Sequence, residues 1–390
     1  MPATPGGQHR GADVVVVGAG AVGLAVAVQL RRAGVGEVLV VDRYPSPGMG
    51  STSRANGGVR AQFSTRVNVE FSRYTIARLA ELDASSGGQV RFRQVGYLFM
   101  TGSEEGERAL ALGHALQLSA GLEVQWLSPA AVLGIAPFVN PTGLRAGSFC
   151  ATDGIIDPHG VTMALCEEAR RLGAELLCDT EVTAMERRGK SARLRTAGGE
   201  IEAAWVVNAA GPDARTVAAM GGVELPVTPY RRNLACTEPV AGYPDPIPMC
   251  VDADTGVLIR REAGGFLIAY SDPEDPPCSE TSFDPHFLDS VGERIGNRFP
   301  FLSDVRINSR KCWAGLYPET PDHQAIIDSP EAVPWMVQCA GFGGHGIMHS
   351  MAAALAVAEL IRDGRCSSFD LTPLRLDRFR GALTVETAVL

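Results

Sequence analysis

A glycine-rich turn near the start of the chain contains the first residues whose spacing suggests chemistry. Gly18, Gly20 and Gly23 form the pattern GxGxxG, with Ala21 and Val22 between the last two glycines. In this pattern the first glycine permits a tight turn, the second lets a pyrophosphate approach the backbone, and the third lets a helix pack closely on a strand. The free N–H groups at the start of a helix suit phosphate oxygens. The residues therefore predict a phosphate-binding turn.

The sequence around this turn predicts the elements that would hold it in place. Residues 13–17 are a short β-branched run, typical of a buried parallel strand. A helix is expected over 21–33 and a second strand over 37–41, which ends at Asp42. Asp42 lies 19 positions after the last glycine, where an acid can accept hydrogen bonds from a ribose diol. This order predicts a site for NAD or FAD and disfavours NADP.

Length and charge limit the class of protein. The 390 residues suit two closely linked domains or one large α/β unit. Hydrophobic residues make up 45% and charged residues 20% of the chain, as in globular proteins, so we expect a folded chain. A net charge of −9 without a basic block disfavours nucleic acid and anionic membrane surfaces as partners.

The cysteines and the first apolar run bear on the compartment. The nine cysteines include no CxxC pair, which favours free thiols in a reducing, cytoplasmic compartment over disulfides or a metal site. The apolar run 14–30 could pass for a signal peptide, but Asp13 interrupts its approach and its glycines serve the turn. The run is also too short and too glycine-rich for a membrane span. We expect no signal peptide, no membrane span and no metal.

Three later segments add further glycine-rich turns. The loop 48–60 is rich in Gly, Ser and Thr, which suits a loop lying against a pyrophosphate and a flat ring. A predicted strand over 203–208 ends in Ala-Ala-Gly-Pro at 209–212. A last glycine-rich loop at 340–349 opens an alanine-rich helix that reaches residue 361. The first turn does not distinguish FAD from NAD, but these segments help to do so.

Three motifs in one order point to a family. They are GSTSRANGGVRAQF at 50–63, QVGYLF at 94–99, and WAGLY at 313–317 followed by TPD at 320–322. With the glycine turns they resemble the D-amino-acid oxidase / sarcosine oxidase superfamily of FAD enzymes, over nearly the whole chain. The sarcosine, dimethylglycine and proline dehydrogenase-like members are the most similar.

This resemblance implies a fold and a domain division. The fold is α/β, with a glutathione-reductase-like FAD-binding Rossmann domain and a mixed-sheet α+β substrate domain. The FAD-binding domain would comprise 1–85, 150–220 and 310–390, and the substrate domain 86–149 and 221–309.

The resemblance also implies which residues bind FAD. Backbone N–H groups at the start of the last helix would stabilise negative charge on the reduced ring, and the backbone at Val182 would meet the adenine. The expected cofactor-binding residues are Gly18, Gly20, Ala21, Val22, Gly23, Asp42, Arg43, Ser51, Thr52, Ser53, Arg54, Gly57, Gly58, Val182, Ala210, Gly211, Gly315, Gly343, Gly344, Gly346, Ile347 and Met348.

Arg60, Tyr317 and His345 are the expected catalytic residues. A guanidinium fork binds the carboxylate of an amino acid well, and Arg60 aligns with the carboxylate-binding arginine of sarcosine oxidase-like enzymes. Tyr317 matches a family tyrosine near the substrate, and His345 could face the substrate from the glycine loop. A surface arginine, a packing tyrosine and a packing histidine are the plainer alternatives. Arg260 and Arg261 are further candidates.

Two departures from the family pattern affect the chemistry. Monomeric sarcosine oxidases have a flavin-bonded cysteine two residues before the tyrosine, whereas this chain has Gly315, which implies noncovalent FAD. The chain has 33 arginines but only two lysines, Lys190 and Lys311, a split that GC-rich codon usage could also produce. Neither lysine stands where lysine-dependent family oxidases use one. The split favours a dehydrogenase over an oxidase, unless Lys311 reaches the ring.

The resemblance implies an FAD-dependent amine or amino-acid oxidoreductase. Such an enzyme oxidises a C–N bond by hydride transfer to flavin N5, giving an imine that can hydrolyse, and passes the electrons to oxygen or another carrier. Two alternatives stay open. The substrate could be a larger biosynthetic amine, or the chain could be an FAD subunit of a multi-component dehydrogenase.

Overall fold

The computed structural model describes residues 8–388. Numbered in chain order, the strands are β1 (Gln8–Val17), β2 (Val38–Val41), β3 (Gly58–Val59), β4 (Tyr97–Thr101), β5 (Gln125–Leu127), β6 (Ala146–Cys150), β7 (Gly154–Ile155), β8 (Glu175–Leu177), β9 (Ala184–Arg188), β10 (Ser191–Thr196), β11 (Gly199–Asn208), β12 (Thr228–Cys236), β13 (Met249–Asp252), β14 (Leu258–Glu262), β15 (Gly265–Ala269), β16 (Trp313–Glu319), β17 (Ile326–Asp328) and β18 (Met336–Ala340). The helices are α1 (Ala21–Arg32), α2 (Arg66–Ser85), α3 (Glu104–Ser119), α4 (Pro129–Ile135), α5 (Pro158–Arg171), α6 (Ala214–Met220), α7 (Phe287–Arg298) and α8 (Gly346–Asp363). None of the helices in this part of the chain is long and apolar enough to cross a bilayer.

The first sheet is built around β1. Its strands follow the order β17–β18–β11–β1–β2–β8, and β10 and β9 extend it from β11. β1 is parallel to both of its neighbours, β2 and β11, and α1 makes the crossover from β1 to β2. The carboxyl ends of β1, β2 and β11 therefore meet at one edge. In open parallel sheets, ligands bind at this edge.

Burial on both faces of this sheet explains its valine run. Val14 and Val16 of β1 pack in one core cluster with α1, α5 and α8, whereas Val15 and Val17 pack on the other face with α6 and the β9–β10 hairpin. Side chains alternate between the faces of a strand, so a strand covered on both faces is apolar at every position. The central strands of this sheet are parallel and helices pack on both of its faces, which confirms the predicted α/β class.

The predicted elements of this unit are confirmed, with two differences in length. α1 and β2 lie within about two residues of their predicted bounds. β1 begins at Gln8 rather than at residue 13, and β11 begins at Gly199 rather than at residue 203, because residues 8–12 pair with 199–203. That partner is distant in the chain, and residues 8–12 have no apolar pattern that would reveal it.

The second sheet has the order β16–β12–β15–β14–β13–β4–β6–β5. Neighbouring strands in this sheet are antiparallel, except for the parallel pair β4–β13. Residues of α4 and α7 pack in the core beside it. β16 lies inside the range 310–390 that the sequence analysis assigns to the FAD-binding domain, yet it pairs with β12 along its whole length. The two sheets support a division into two domains, which stays a prediction.

A two-stranded sheet connects the two larger ones. β3 pairs with β7 in antiparallel register, which brings Arg60, just after β3, close to Asp153, just before β7. Gln62 then ties this region to the second sheet: its Nε2 donates to the Tyr97 carbonyl of β4 (3.0 Å), and its Oε1 accepts from Ser148 of β6 (2.8 Å). The predicted carboxylate anchor thus lies where the two sheets meet.

Candidate active site

The first glycine turn is fitted tightly against the end of β11. Gly18 has a φ of +110°, a conformation that side-chain-bearing residues rarely adopt. A Cβ on Gly18 would collide with the carbonyl oxygen of Ala209, and a Cβ on Gly23 would collide with the carbonyl oxygen of Gly18. Both glycines are therefore needed for the close approach of α1 to the sheet, as the sequence predicts.

The start of α1 is open to an anion. Its N-cap residue is Gly20, which has no side chain that could cap the helix. The Ala21 N–H donates to the hydroxyl of Thr52 (3.1 Å), which brings the predicted loop 51–54 across the helix end. The N–H groups of Val22 and Gly23 have no partner inside the helix. These groups form the kind of site that binds a pyrophosphate.

Asp42, which directly follows β2, holds the first glycine-rich turn in place through hydrogen bonds. Its carboxylate accepts from the backbone N–H groups of Ala19 (2.6 Å) and Tyr44 (2.8 Å), and further lone pairs remain for a ribose. Arg43 pairs with Asp213, in the turn that follows Ala210 and Gly211 (2.8 Å).

The predicted adenine contact lies beside the same strand end. The Thr180 N–H donates to the Asp42 carbonyl (2.8 Å), which places the segment leading to Val182 next to β2. The structure thus brings together the predicted contacts for the adenosine half, although their contact with a nucleotide stays a prediction.

The serine- and threonine-rich loop lies against β16. Ser51 donates to the Leu316 carbonyl (2.7 Å), and Arg54 donates to the Ala314 carbonyl (3.0 Å). The indole of Trp313 donates back to the Arg54 carbonyl (2.8 Å). A Cβ on Gly315 would lie 3.0 Å from the Cβ of Arg54. Arg54 therefore holds the loop against β16, and its expected contact with FAD stays a prediction.

The N-terminus of α8 lies next to Tyr317. A Cβ on Gly344 would lie 2.5–2.8 Å from ring atoms of Tyr317, and the Gly343 N–H donates to the Pro318 carbonyl (2.9 Å). No side chain within residues 8–388 caps this helix. The first N–H groups of α8, from Gly346 to Met348, therefore have no helical acceptor and can face an anionic ring edge.

A cavity that Tyr317 lines also contains polar residues that were not predicted from the sequence. Asn56, Arg232, Tyr270 and Ser271 line it together with Tyr317. The guanidinium of Arg232 lies 5.9 Å from the Tyr317 ring centre and pairs with Asp275 (2.9 Å). Arg232 comes to this place because β12 pairs with β16, and no local signal reveals that pairing.

A larger groove of about 600 Å³ between α1, α2, α5 and α8 contains none of the predicted site residues.

Arg60 is buried, at only 2% exposure, and so is not the surface arginine of the plainer alternative. Its guanidinium lies over the Phe63 ring, 4.0 Å from the ring centre, and donates to the carbonyls of Gln62 and Ala388. Burial lowers the pKa of Arg60 below its ordinary value, and Tyr97 and Glu386 oppose that effect. No carboxylate of the described residues forms an ion pair with it.

Asp153 is a second residue that the sequence analysis missed. It is fully buried and accepts hydrogen bonds from the Ala61 N–H (2.8 Å) and from Gln62 (3.2 Å). Burial raises the pKa of Asp153 to about 7, against the effect of these hydrogen bonds. An acid directly before the apolar turn 154–156 was an available signal, since a buried carboxylate must have partners.

His345 is the N-cap residue of α8 and is buried with its ring 4.9 Å from that of Phe63. Burial, followed by the charges of Arg60 and His323, holds the pKa of His345 well below its ordinary value. The imidazole is therefore neutral near pH 7.

Two further arginines were candidates for substrate binding. Arg260 donates to the Asn56 carbonyl (2.9 Å), while Arg261 donates to the Gly264 carbonyl (3.1 Å).

Comparison with known proteins agrees with this geometry. The chain is 29% identical to Xenopus laevis FAD-dependent oxidoreductase domain-containing protein 1, over 97% of this chain and 85% of that protein. It is 27% identical to mitochondrial sarcosine dehydrogenase of Mus musculus, over 96% of this chain but 42% of that longer protein. The crystal structure of L-proline dehydrogenase from P. horikoshii matches with a TM-score of 0.90 and 28% identity, over 97% of this chain and 100% of that one.

These likenesses extend over both sheets and over the loops that join them. Residues 13–360 match the family described as FAD dependent oxidoreductase, which confirms the resemblance and the cofactor predicted from the sequence. The glycine turns and the open ends of α1 and α8 fit an FAD site. The chain therefore belongs to the FAD dependent oxidoreductase family.

Proposed function

We propose that this protein oxidises a C–N bond of an amino acid or a secondary amine. The observation that carries the proposal is the position of Tyr317. Its ring touches Gly344 at the open end of α8 and also borders the polar cavity that contains Arg232 and Asn56. Relatives named for sarcosine and L-proline support this substrate class.

The residues on the cofactor side fit FAD, which supplies a ring that accepts a hydride when it is bound. The N–H groups at the start of α1 would hold the pyrophosphate, and Asp42 would hold the ribose. The free N–H groups at the start of α8 would stabilise negative charge on the ring. The tight fit of Gly18 and Gly23 supports this assignment, because it keeps the helix end close to the sheet edge.

On the substrate side the chain's residues bind and orient the substrate. Burial raises the pKa of Tyr317, so its hydroxyl stays protonated and can donate a hydrogen bond. His345 is neutral for the reasons given above. Neither group is a strong base, so the substrate amine must lose its own proton before a hydride can leave. The rate of flavin reduction should therefore rise with pH through the titration of the amine.

The decisive experiment is anaerobic mixing of the FAD-loaded protein with single amines. We expect sarcosine, dimethylglycine, proline or another amino acid to bleach the yellow flavin. Tyr317→Phe should reduce the rate at saturating substrate by about tenfold, the loss of one hydrogen bond in the site. Tyr74→Phe, in the groove that contains none of the predicted site residues, is the matched control and should leave the rate unchanged. Absence of bleaching by every amine, in protein that retains FAD, would overturn the proposal.

FAD should be bound without a covalent link. Gly315 packs against Arg54 at the position where, by the family resemblance, monomeric sarcosine oxidases have a flavin-bonded cysteine. The nearby Cys312 thiol donates to the Asn308 carbonyl (3.4 Å). Acid denaturation should therefore release all of the yellow colour into the supernatant. Flavin that stays with the precipitated chain would contradict this prediction.

We further propose that the protein acts as a dehydrogenase and that it works in a reducing, cytoplasmic compartment. Lys190 and Lys311 are both exposed, on the β9–β10 turn and on the turn before β16. These positions support slow reaction with oxygen, which admission of air to the bleached protein would measure. All nine cysteines are free, which supports the expected compartment.

A further inference from the structure

Residues 382–388 form a strap that has no regular secondary structure and reaches Arg60. We propose that Glu386 holds this strap in place so that Arg60 is aligned to bind the carboxylate of the substrate. This inference rests on the proposed function. It makes Glu386 a positioning residue, because its carboxylate acts through the strap and Arg60 rather than on the substrate.

Glu386 is the most firmly held residue of the strap. Its carboxylate is fully buried, and one oxygen accepts from both the backbone N–H (2.8 Å) and the hydroxyl of Ser64. The other oxygen accepts from the N–H (3.0 Å) and hydroxyl (2.7 Å) of Thr65 and from the Asn68 amide (3.0 Å). Thr65 is the N-cap residue of α2. Glu386 therefore closes the end of a helix in another part of the chain.

These hydrogen bonds keep Glu386 charged. Burial alone would raise the pKa of its carboxyl group, but the donors from Ser64, Asn68 and Thr65 outweigh burial and hold the pKa below its ordinary value. A buried carboxylate at the positive end of a helix is stabilised by the helix dipole as well. Glu386 is thus a negatively charged carboxylate at neutral pH, and its hydrogen bonds hold the strap against the start of α2.

Backbone contacts align the rest of the strap. The Gln324 amide donates to the Thr384 carbonyl (2.6 Å), and the Glu386 N–H donates to the Asp322 carbonyl (3.0 Å). The Thr387 N–H donates to the Ser64 hydroxyl (2.8 Å). The strap therefore joins the segment after β16 to the start of α2.

The last contact of the strap reaches Arg60. The Ala388 N–H donates to the Glu386 carboxylate (3.0 Å), and the Ala388 carbonyl accepts from Nη2 of Arg60. With the Gln62 carbonyl on Nη1 and the Phe63 ring on one face, the guanidinium has a single orientation. Its partners are neutral, so its positive charge stays available to an anion. A carboxylate would satisfy that charge and use the remaining N–H groups.

The test measures binding of furan-2-carboxylate to the FAD-loaded protein through the change in the flavin spectrum, with 2-methylfuran, which has the same ring but no charge, as the second ligand. We expect Glu386→Gln to weaken binding of furan-2-carboxylate by about tenfold and to leave binding of 2-methylfuran unchanged. Glu386→Asp should recover part of the affinity. Arg60→Met should weaken furan-2-carboxylate at least as much, and the double variant should be no weaker than Arg60→Met alone.

Glu359→Gln is the matched control. The Glu359 carboxylate also accepts from two backbone N–H groups and a hydroxyl, of Ser367 and Ser368, but the segment that it holds lies after α8 and has no contact with Arg60. Binding of both ligands should be unchanged in this variant. If Glu386→Gln does not fold, Ser64→Ala removes one donor to the same carboxylate and takes its place.

Three results would overturn the inference. Tighter binding of furan-2-carboxylate in Glu386→Gln would mean that the strap blocks Arg60. Equal weakening of both ligands would reduce Glu386 to a structural residue. Additive losses in the double variant would separate Glu386 from Arg60. A wild-type protein that retains FAD but neither binds furan-2-carboxylate nor is bleached by amines would refute the proposed function itself.

Discussion

Replacing Gly18 with alanine should leave the protein without FAD. At a φ of +110° an alanine is strained, and its Cβ would collide with the carbonyl oxygen of Ala209. Neither strand end can yield easily, because the Gly18 N–H donates to the Val41 carbonyl (2.8 Å) and the Ala209 N–H donates to the Val17 carbonyl (2.9 Å). The turn must therefore open, and the N–H groups at the start of α1 then lose the positions that suit a pyrophosphate.

The ratio of flavin to protein absorbance after purification measures this effect. We expect Gly18→Ala to lose most of its FAD, and a melting experiment should show a less stable fold. Gly113→Ala is the control, because Gly113 lies inside α3 and its nearest neighbour would be 3.5 Å from the new Cβ. This variant should keep its FAD and gain up to about 1 kcal/mol in stability. Full FAD occupancy in Gly18→Ala would contradict the role assigned to the turn.

Replacing Arg378 with alanine should lower the free energy of unfolding by about 3–5 kcal/mol. Arg378 donates to both oxygens of Asp322 (2.7 and 3.0 Å) and to the Gln324 carbonyl (2.8 Å). The two charged side chains are only 9% and 1% exposed. Without the guanidinium, Asp322 keeps a buried negative charge that the Thr320 hydroxyl (3.1 Å) compensates only weakly.

Arg375→Ala provides the matched comparison for urea unfolding. Arg375 pairs with Asp377 at 3.3 Å, but both side chains are more than half exposed. Water screens such a pair, so its loss should cost less than about 1 kcal/mol. Equal losses in the two variants would show that the Arg378–Asp322 pair has no special role. Because the Asp322 carbonyl accepts from Glu386, Arg378→Ala should also loosen the strap.

The dinucleotide-binding unit could be predicted from the sequence because its signals are local. Three glycines lie within six residues, a valine run marks a strand covered on both faces, and Asp42 follows the next strand. Each of these constraints acts between residues close in the chain, through backbone conformation or through the burial of one short element. The same reasoning located the second open helix end at α8, since a glycine-rich loop before an apolar helix is also a local pattern.

The substrate side was decided by contacts between residues far apart in the chain. Arg232 faces Tyr317 only because β12 pairs with β16, and Asp153 lies near Arg60 only because β3 pairs with β7. Glu386 reaches the start of α2 across most of the chain's length. Strand partners and the path of an irregular strap depend on how all elements pack, since many registers satisfy the same local preferences. Residue types together with the family resemblance therefore named Arg60 and Tyr317 as candidates, and packing supplied their surroundings.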